Sequence, residues 1–217
     1  SSSDLVVEAI SENYETKAIL FKKLENYCSD DCIFASNTSS ISITKISENL
    51  STKHRVIGMH FMNPVPIMKL VEVINGRYTS AEVTKKIIDY SKSINKTPLI
   101  ANDYPGFISN RILLPMINEA IEALDSGVSD VKSIDGIMKL GMGHPMGPLQ
   151  LADLIGLDVC KSILEIMHTG LCNEKYKPNK LLIDLVNKGN LGVKSGEGFY
   201  NYSNSKKAEV VSKRFSK

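Results

Sequence analysis

The chain has 217 residues, of which 42% are hydrophobic and 23% are charged, and its formal net charge at pH 7 is +2. These values exclude a disordered chain, and the balanced charge argues against a nucleic-acid partner. No apolar run reaches the roughly 18–20 residues that a membrane span needs, and four cysteines are too few for a disulfide scaffold. We therefore expect an intracellular globular protein without a membrane partner, with the mitochondrial, peroxisomal and cytoplasmic compartments left open.

The first hundred residues alternate short apolar runs with amphipathic stretches. The runs are Leu5–Ile10, Ile33–Ser36, Val56–Met59, Leu70–Ile74 and Pro98–Ala101. Between them, apolar residues recur at helical spacing at Ile19, Leu20 and Leu24 and at Val83, Ile87, Ile88 and Ile94. This alternation predicts an α/β unit with a mainly parallel sheet.

The second half of the chain has a helical pattern. After the joint at Asp103–Gly106, a long apolar stripe runs from Phe107 to Leu124, with Pro115 as a predicted kink. Further helical patterns cover Val131–Leu140, Leu149–Met167 and Lys180–Asn187. The sequence therefore predicts two domains, with the sheet in residues 1–103 and an all-α domain in residues 104–217.

Polar side chains follow three of the predicted strands. They are Glu12 and Asn13 after the first run, Asn37, Thr38 and Ser39 after the second, and His60 and Asn63 after the third. Ligands of open parallel sheets bind beyond the carboxyl ends of the strands. The sequence therefore predicts a binding site at this edge of the sheet.

Glu72 lies inside the apolar run Leu70–Ile74, so we expect its carboxylate to be at least partly buried. A buried carboxylate needs a partner, and His60, one strand earlier, is the natural candidate. Such a pair fixes one imidazole tautomer and favours the imidazolium, which suits a general base. Two alternatives stay open: Glu72 on the solvent face of an edge strand, and His60 as an ordinary core or surface histidine.

Two other patterns do not indicate a site. Cys28 and Cys32 have no second pair of ligands nearby in the sequence, so we expect no zinc site. The stretch Gly141–Gly147 is rich in glycine, but it lacks the G-x-G-x-x-G spacing and follows no predicted strand. The sequence therefore predicts no metal site.

Six blocks of sequence, spread over both predicted domains, carry a family resemblance. They are Ala35–Ser40, Gly58–Pro64, Met68–Val73, Pro105–Arg111, His144–Pro148 and Lys194–Tyr200. In this order and at this spacing, the blocks resemble the L-3-hydroxyacyl-CoA dehydrogenases, particularly the 3-hydroxybutyryl-CoA type. The resemblance implies a Rossmann-like domain that binds NAD, followed by a helical domain through which the enzyme forms a homodimer.

The resemblance also implies a role for each matched residue. His60 would be the catalytic base that takes the proton of the 3-hydroxyl as hydride leaves C3 for the nicotinamide, and Glu72 would hold and polarise His60. Ser39 and Asn110 would hydrogen-bond the acyl-CoA substrate near the reacting oxygen. The residues that match the surroundings of the cofactor are Glu12, Lys17, Asn37, Asn63 and Lys194.

The match begins within the family's pattern. The family opens with a strand, a G-x-G-x-x-G turn and a helix, followed by an acidic residue for the adenine ribose. This chain opens with Ser1-Ser2-Ser3-Asp4 and enters the resemblance at about the family's fourth strand, Leu5–Ile10. We therefore expect a fragment or truncated product that carries a partial Rossmann-like sheet without the pyrophosphate cradle.

Three functional hypotheses remain at this point. The first is NAD-dependent oxidation of a short-chain L-3-hydroxyacyl-CoA to the 3-ketoacyl-CoA, with His60 as general base. The second is a non-catalytic dimerising remnant, or a partner subunit, on the same scaffold. The third is an oxidoreductase of the same architecture that acts on a hydroxy acid without CoA. The presence of Ser39, His60, Glu72 and Asn110 together favours the first.

Overall fold

The computed structural model describes residues 3–216. The chain divides between Ile108 and Ser109 into two compact units, each with its own apolar core. Among the described residues, no helix is both long enough and apolar enough to cross a bilayer.

The first unit is built on a sheet whose strand order follows the chain. Within residues 3–216, its strands are β1 (Leu5–Glu8), β2 (Ile33–Ser36), β3 (Val56–Phe61), β4 (Leu70–Asn75) and β5 (Thr97–Asn102). β1, β2 and β3 run parallel, β4 runs antiparallel to β3, and β5 runs parallel to β4. The prediction of a mainly parallel sheet is confirmed, with one antiparallel step.

Helices cover both faces of this sheet. They are α1 (Tyr14–Tyr27), α2 (Ile43–Ser47) and α3 (Ala81–Ser93). On one face, Phe21 of α1 packs with Phe34 of β2, and on the other, Ile87 of α3 packs in a core that includes Met59 of β3. Because both faces are covered, β3 is an almost continuous apolar run rather than an alternating one.

The ends of the strands differ by at most two residues from the ends of the predicted apolar runs. β1 ends at Glu8, whose carboxylate accepts a hydrogen bond from the backbone N–H of Ile10, two residues further along the chain (2.7 Å). β3 continues to Phe61, because its pairing with β4 extends through His60 opposite Glu72 and Phe61 opposite Val71.

The second unit is mainly helical. Its described helices are α4 (Ser109–Asp125), α5 (Val131–Met142), α6 (Pro148–Ile155), α7 (Leu157–Leu171) and α8 (Lys180–Asn187). Two short strands that the all-α prediction omitted, β6 (Tyr200–Asn201) and β7 (Val210–Val211), pair antiparallel after them. The helical pattern predicted over Leu149–Met167 is divided between two helices, because Gly156 has a φ of +104° and separates α6 from α7.

Candidate active site

The carboxyl ends of β1, β2 and β3 lie side by side, because these strands are parallel neighbours. Asn37, just after β2, connects them. Its backbone N–H donates to the carbonyl of Glu8 (2.8 Å), and its side-chain Oδ1 accepts from the backbone N–H of Phe61 (2.9 Å). The edge of the sheet that the sequence predicts as a site is therefore a connected polar surface.

His60 and Glu72 form a buried pair across two strands. They are opposite each other in the antiparallel register of β3 and β4, and His60 Nδ1 lies 2.8 Å from Glu72 Oε2. His60 is 6% exposed and Glu72 is 4% exposed. The predicted pairing is therefore confirmed, and the alternative of Glu72 on a solvent face is wrong. When the Nδ1–H group donates a hydrogen bond to the carboxylate, the proton of the neutral ring stays on Nδ1. The lone pair of Nε2 is then available to accept another proton.

Two residues at the end of the first unit support this pair. The backbone N–H of Ile108 donates to Glu72 Oε1 (3.2 Å), so the two carboxylate oxygens have different partners. The buried Phe107 ring packs against the imidazole with 5.9 Å between ring centroids. Phe107 has a φ of +48°, a left-handed conformation that strains a bulky residue. Sequence reasoning missed both contacts, and the contact from Ile108 had no sequence signal because a backbone N–H is common to every non-proline residue.

The Glu12 carboxylate binds the loop that follows β2. Its Oε1 accepts hydrogen bonds from the backbone N–H groups of Ser39 (2.9 Å) and Ser40 (3.0 Å). The hydroxyls of Thr38 (2.6 Å) and Ser40 (2.9 Å) donate to the same oxygen. Burial alone would raise the pKa of Glu12, but the bonds from Thr38, Ser40 and Ser39 and the nearby Lys17 ammonium hold that pKa below its usual range.

A buried ion pair lies next to Glu12. Lys17 Nζ is 2.5 Å from Glu8 Oε1 and 3.5 Å from Glu12 Oε2, and both Lys17 and Glu8 are buried. The Ser36 hydroxyl donates to the second Glu8 oxygen (2.6 Å). Sequence reasoning missed Glu8, although its signal is the one that identified Glu72: a carboxylate inside an apolar strand.

The remaining predicted site residues are divided between the units. Asn63 is exposed just after β3. Asn110 is buried in the first turn of α4, in the second unit. Lys194 also belongs to the second unit, where its ammonium lies 2.5 Å from Asp158 Oδ2. The approach of Asn110 and Lys194 to the first unit's site stays a prediction.

Glu12 is the residue of this edge that best suits a ribose. Its side chain is 40% exposed, and a carboxylate accepts hydrogen bonds from ribose hydroxyls. Asn37 and Asn63 place amide side chains after β2 and β3, and amides can hydrogen-bond the polar groups of a dinucleotide. The 217-residue sequence contains no G-x-G-x-x-G motif, the turn that binds a pyrophosphate. Within residues 3–216, no cluster of His, Cys, Asp and Glu side chains could hold a metal ion.

Two family models match almost the whole chain. The model described as "3-hydroxyacyl-CoA dehydrogenase, NAD binding domain" matches residues 1–104. The model described as "3-hydroxyacyl-CoA dehydrogenase, C-terminal domain" matches residues 106–202.

Individual relatives give the same picture. The chain is 56% identical to a probable 3-hydroxybutyryl-CoA dehydrogenase of Deinococcus radiodurans, over 92% of this chain and 72% of the relative. It is 48% identical to a 3-hydroxybutyryl-CoA dehydrogenase of Clostridioides difficile, over 92% and 71%. The crystal structure of (S)-3-hydroxybutyryl-CoA dehydrogenase from Ralstonia eutropha matches with a TM-score of 0.90 at 46% identity, over 93% of this chain and 71% of that one. The chain thus spans about seven-tenths of the length of these relatives.

Proposed function

Because the chain belongs to the 3-hydroxyacyl-CoA dehydrogenase family of NAD-dependent oxidoreductases, we propose that it oxidises a short-chain L-3-hydroxyacyl-CoA, such as 3-hydroxybutyryl-CoA, to the 3-ketoacyl-CoA. The relatives named for 3-hydroxybutyryl-CoA support the short acyl chain. The observation that carries the proposal is the buried pair of His60 and Glu72 at the polar edge of the sheet.

His60 is the general base in this proposal. Its Nε2 accepts the proton of the 3-hydroxyl while C3 loses a hydride, so the C3–O single bond becomes the ketone. The chemistry that bound NAD would supply is that of the hydride acceptor. The Glu72 carboxylate stabilises the resulting imidazolium through the 2.8 Å contact with Nδ1. In the reverse direction, the imidazolium of His60 returns the proton to the ketone oxygen.

Ser39 and Asn110 are proposed to orient the substrate near its reacting oxygen. A serine hydroxyl and an asparagine amide each offer a donor and an acceptor, so both can bind the alcohol as well as the ketone. Ser39 stands on the loop that Glu12 binds, and Asn110 stands in the first turn of α4. Fixed positions reduce the entropy that is lost when substrate is aligned for reaction.

The proposed contacts with NAD involve both units. In the first unit, Glu12, Asn37 and Asn63 would bind the cofactor at the carboxyl ends of the strands. Lys17 would contribute the positive charge of its ammonium near the cofactor, from its buried position between Glu8 and Glu12. In the second unit, Lys194 would contribute its ammonium. These roles follow from matched positions in the family, and the exposed Glu12 carboxylate is the feature of this structure that best supports them.

A homodimer through the helical unit is part of the proposal. Helix α5 exposes the large apolar side chains of Ile137, Leu140 and Met142, with Leu140 90% exposed. Apolar side chains grouped on one helix favour burial against another surface, and a second copy offers the same helix. Sedimentation velocity should show a dimer for the wild type and a monomer for Leu140→Glu. A monomeric wild type would contradict this part of the proposal.

Reduction of acetoacetyl-CoA by NADH, catalysed by the purified 217-residue chain, tests the proposed reaction. Acetoacetate serves as the matched substrate without CoA. We expect NADH oxidation that depends on acetoacetyl-CoA and is much slower with acetoacetate. Equal rates with both substrates would favour an oxidoreductase that does not use CoA, and no oxidation with either would favour a non-catalytic protein on this scaffold.

A further inference from the structure

The contacts of Glu12 go beyond those needed for a cofactor ligand. One of its carboxylate oxygens, Oε1, accepts four hydrogen bonds, and all four come from the three consecutive residues Thr38, Ser39 and Ser40. These residues lie 26–28 positions further along the chain, so Glu12 connects the segment after β1 with the loop after β2. A carboxylate that only faced a cofactor would not require this concentration of donors.

The loop itself is organised around the same contact. Thr38 is buried, and its hydroxyl accepts a hydrogen bond from the backbone N–H of Ile41 (2.9 Å) while it donates to Glu12. Ser40 is buried and donates to Glu12 through both its backbone N–H and its hydroxyl. Ser39 therefore lies between two residues that are fixed by Glu12, and its own N–H is fixed by the same oxygen.

The other carboxylate oxygen faces a buried cation. Oε2 lies 3.5 Å from the ammonium of Lys17, and that ammonium is itself held by Glu8 (2.5 Å) and by the carbonyl of Ile10 (3.3 Å). Lys17 is almost completely buried, so its charge stays in one place. Glu12 is thus held between a fixed cation and the loop, which makes it a rigid support for that loop.

We propose that Glu12 is a positioning residue for the acyl-CoA substrate. Glu12 fixes the backbone on both sides of Ser39, and this keeps the Ser39 hydroxyl directed at the substrate. This inference rests on the proposed function, because the contact between Ser39 and substrate does. It adds to the proposed role of Glu12 at the cofactor, since the loop uses Oε1 and the exposed part of the carboxylate remains accessible.

Hydrogen exchange tests the structural half of this inference without any turnover. In Glu12→Ala, the exchange protection of the Ser39 and Ser40 amides should fall on the order of tenfold to a hundredfold, the effect of losing a hydrogen bond to a charged group. Glu12→Gln should show a smaller loss, because its amide oxygen still accepts. Glu15→Gln, which neutralises an exposed carboxylate of α1, should show none. Residue-resolved NMR of the 217-residue chain measures all four proteins.

The same measurement can overturn the inference. Unchanged protection of Ser39 and Ser40 in Glu12→Ala would show that Glu12 does not hold the loop. Protection lost equally from the amides of β2 would show that Glu12 only stabilises the fold. Glu12→Gln keeps the measurement decisive if Glu12→Ala does not fold.

A double-mutant cycle tests the functional half. At saturating NADH, Glu12→Ala and Ser39→Ala should each lower kcat/KM for acetoacetyl-CoA, and the double variant should lose little more than the worse single variant. Losses that multiply in the double variant would show that Glu12 does not act through Ser39. An unchanged kcat/KM for acetoacetyl-CoA in Glu12→Ala, with a raised KM for NADH, would place Glu12 at the cofactor alone. If the wild type does not oxidise NADH at all, the proposed function fails, and the exchange experiment still decides whether Glu12 holds the Ser39 loop.

Discussion

The two units bury carboxylates to a similar depth but give them different kinds of partner. In the first unit, Glu72 lies 2.8 Å from the ring of His60, which carries a charge when protonated. In the second unit, the buried Asp153 accepts hydrogen bonds from the hydroxyl of Tyr202 (3.0 Å) and from two backbone N–H groups. A partner that takes up and releases protons suits chemistry, whereas neutral donors that keep their protons suit a permanent structural contact.

The aspartates of the second unit explain two glycines of the sequence blocks that carry the family resemblance. Asp135 accepts from two backbone N–H groups in the first turn of α6 (2.8 and 3.0 Å), and Asp153 does the same for the chain leading into β6. A Cβ at Gly147 would lie 2.2 Å from Asp135 Cγ, and a Cβ at Gly198 would lie 2.0 Å from Asp153 Oδ1. These glycines are therefore required by the packing of buried carboxylates.

The largest expected effect concerns turnover and the first unit. His60→Ala should lower kcat roughly 10²–10⁴-fold, because the general base is lost. His168→Ala, which changes a histidine of the second unit paired with Glu174, is the matched control and should leave kcat unchanged. Steady-state rates of acetoacetyl-CoA reduction measure both, and circular dichroism checks the fold. A loss below about tenfold for His60→Ala would show that His60 is not the general base. The buried carboxylates of the two units would then not differ in catalytic use.

The next largest effect concerns the contribution of the buried Lys17–Glu8 ion pair to the stability of the first unit. Lys17→Met should lower the free energy of unfolding by about 3–5 kcal/mol, because it leaves the Glu8 carboxylate buried without its cation. Adding Glu8→Gln removes the uncompensated charge, so the double variant should recover part of this loss. Urea denaturation measures the three proteins. A double variant that is less stable than Lys17→Met would show that Glu8 does not depend on Lys17.

Much of the fold follows from the sequence because apolar periodicity is a local signal. The alternation of strands and helices in the first unit was predictable, and so was the helical second unit. The break between α6 and α7 was not, because a glycine inside a helical stripe is often tolerated. Only the backbone of Gly156, at a φ of +104°, reveals that this glycine ends a helix.

The candidate site was predictable where a residue type contradicted its surroundings. Glu72 in an apolar strand required a partner, and His60 was the nearest suitable one. Glu8 gave the same signal, but the cation that satisfies it comes from the next helix, where Lys17 resembles a surface lysine. The role of Ile108 depends on a backbone N–H, which every non-proline residue has, so no pattern could identify it.

The same chemical change in both units should have different consequences. Glu72→Gln should lower kcat by roughly tenfold, because a neutral acceptor stabilises the imidazolium less than a carboxylate does. Asp153→Asn should leave kcat nearly unchanged, since Asp153 supports the chain around β6. Rates measured across pH compare the two variants. A pH–rate profile for Glu72→Gln that matches the wild type would contradict the catalytic use of the pair.

The last expected effect is a pH dependence of stability in the second unit. Burial raises the pKa of Asp153 to about 7, despite hydrogen bonds from Tyr200, Phe199 and Tyr202 that lower it. In the unfolded chain this pKa is about 3.9. Between the two values the folded chain binds more protons, so the stabilisation is complete below about pH 4 and is lost as pH rises through 7. The free energy of unfolding should fall by roughly 1 kcal/mol per pH unit at the steepest point.

Glu12 in the first unit should respond with the opposite sign. Its pKa is lowered, so its contribution to stability is present above the ordinary carboxyl pKa and is lost as pH falls. Lowering the pH from 7 to about 4.5 should therefore strengthen the second unit and leave the loop at Ser39 unchanged, whereas a further drop in pH should weaken the loop. Residue-resolved NMR during urea titrations can follow the two units separately. Asp153→Asn should reduce the pH dependence of the second unit, and what remains is expected from Asp135, whose pKa burial also raises. Glu119→Gln, which changes an exposed carboxylate of α4, should preserve the full pH dependence. Equal pH slopes in the wild type and Asp153→Asn would show that groups other than Asp153 cause the pH dependence of the second unit.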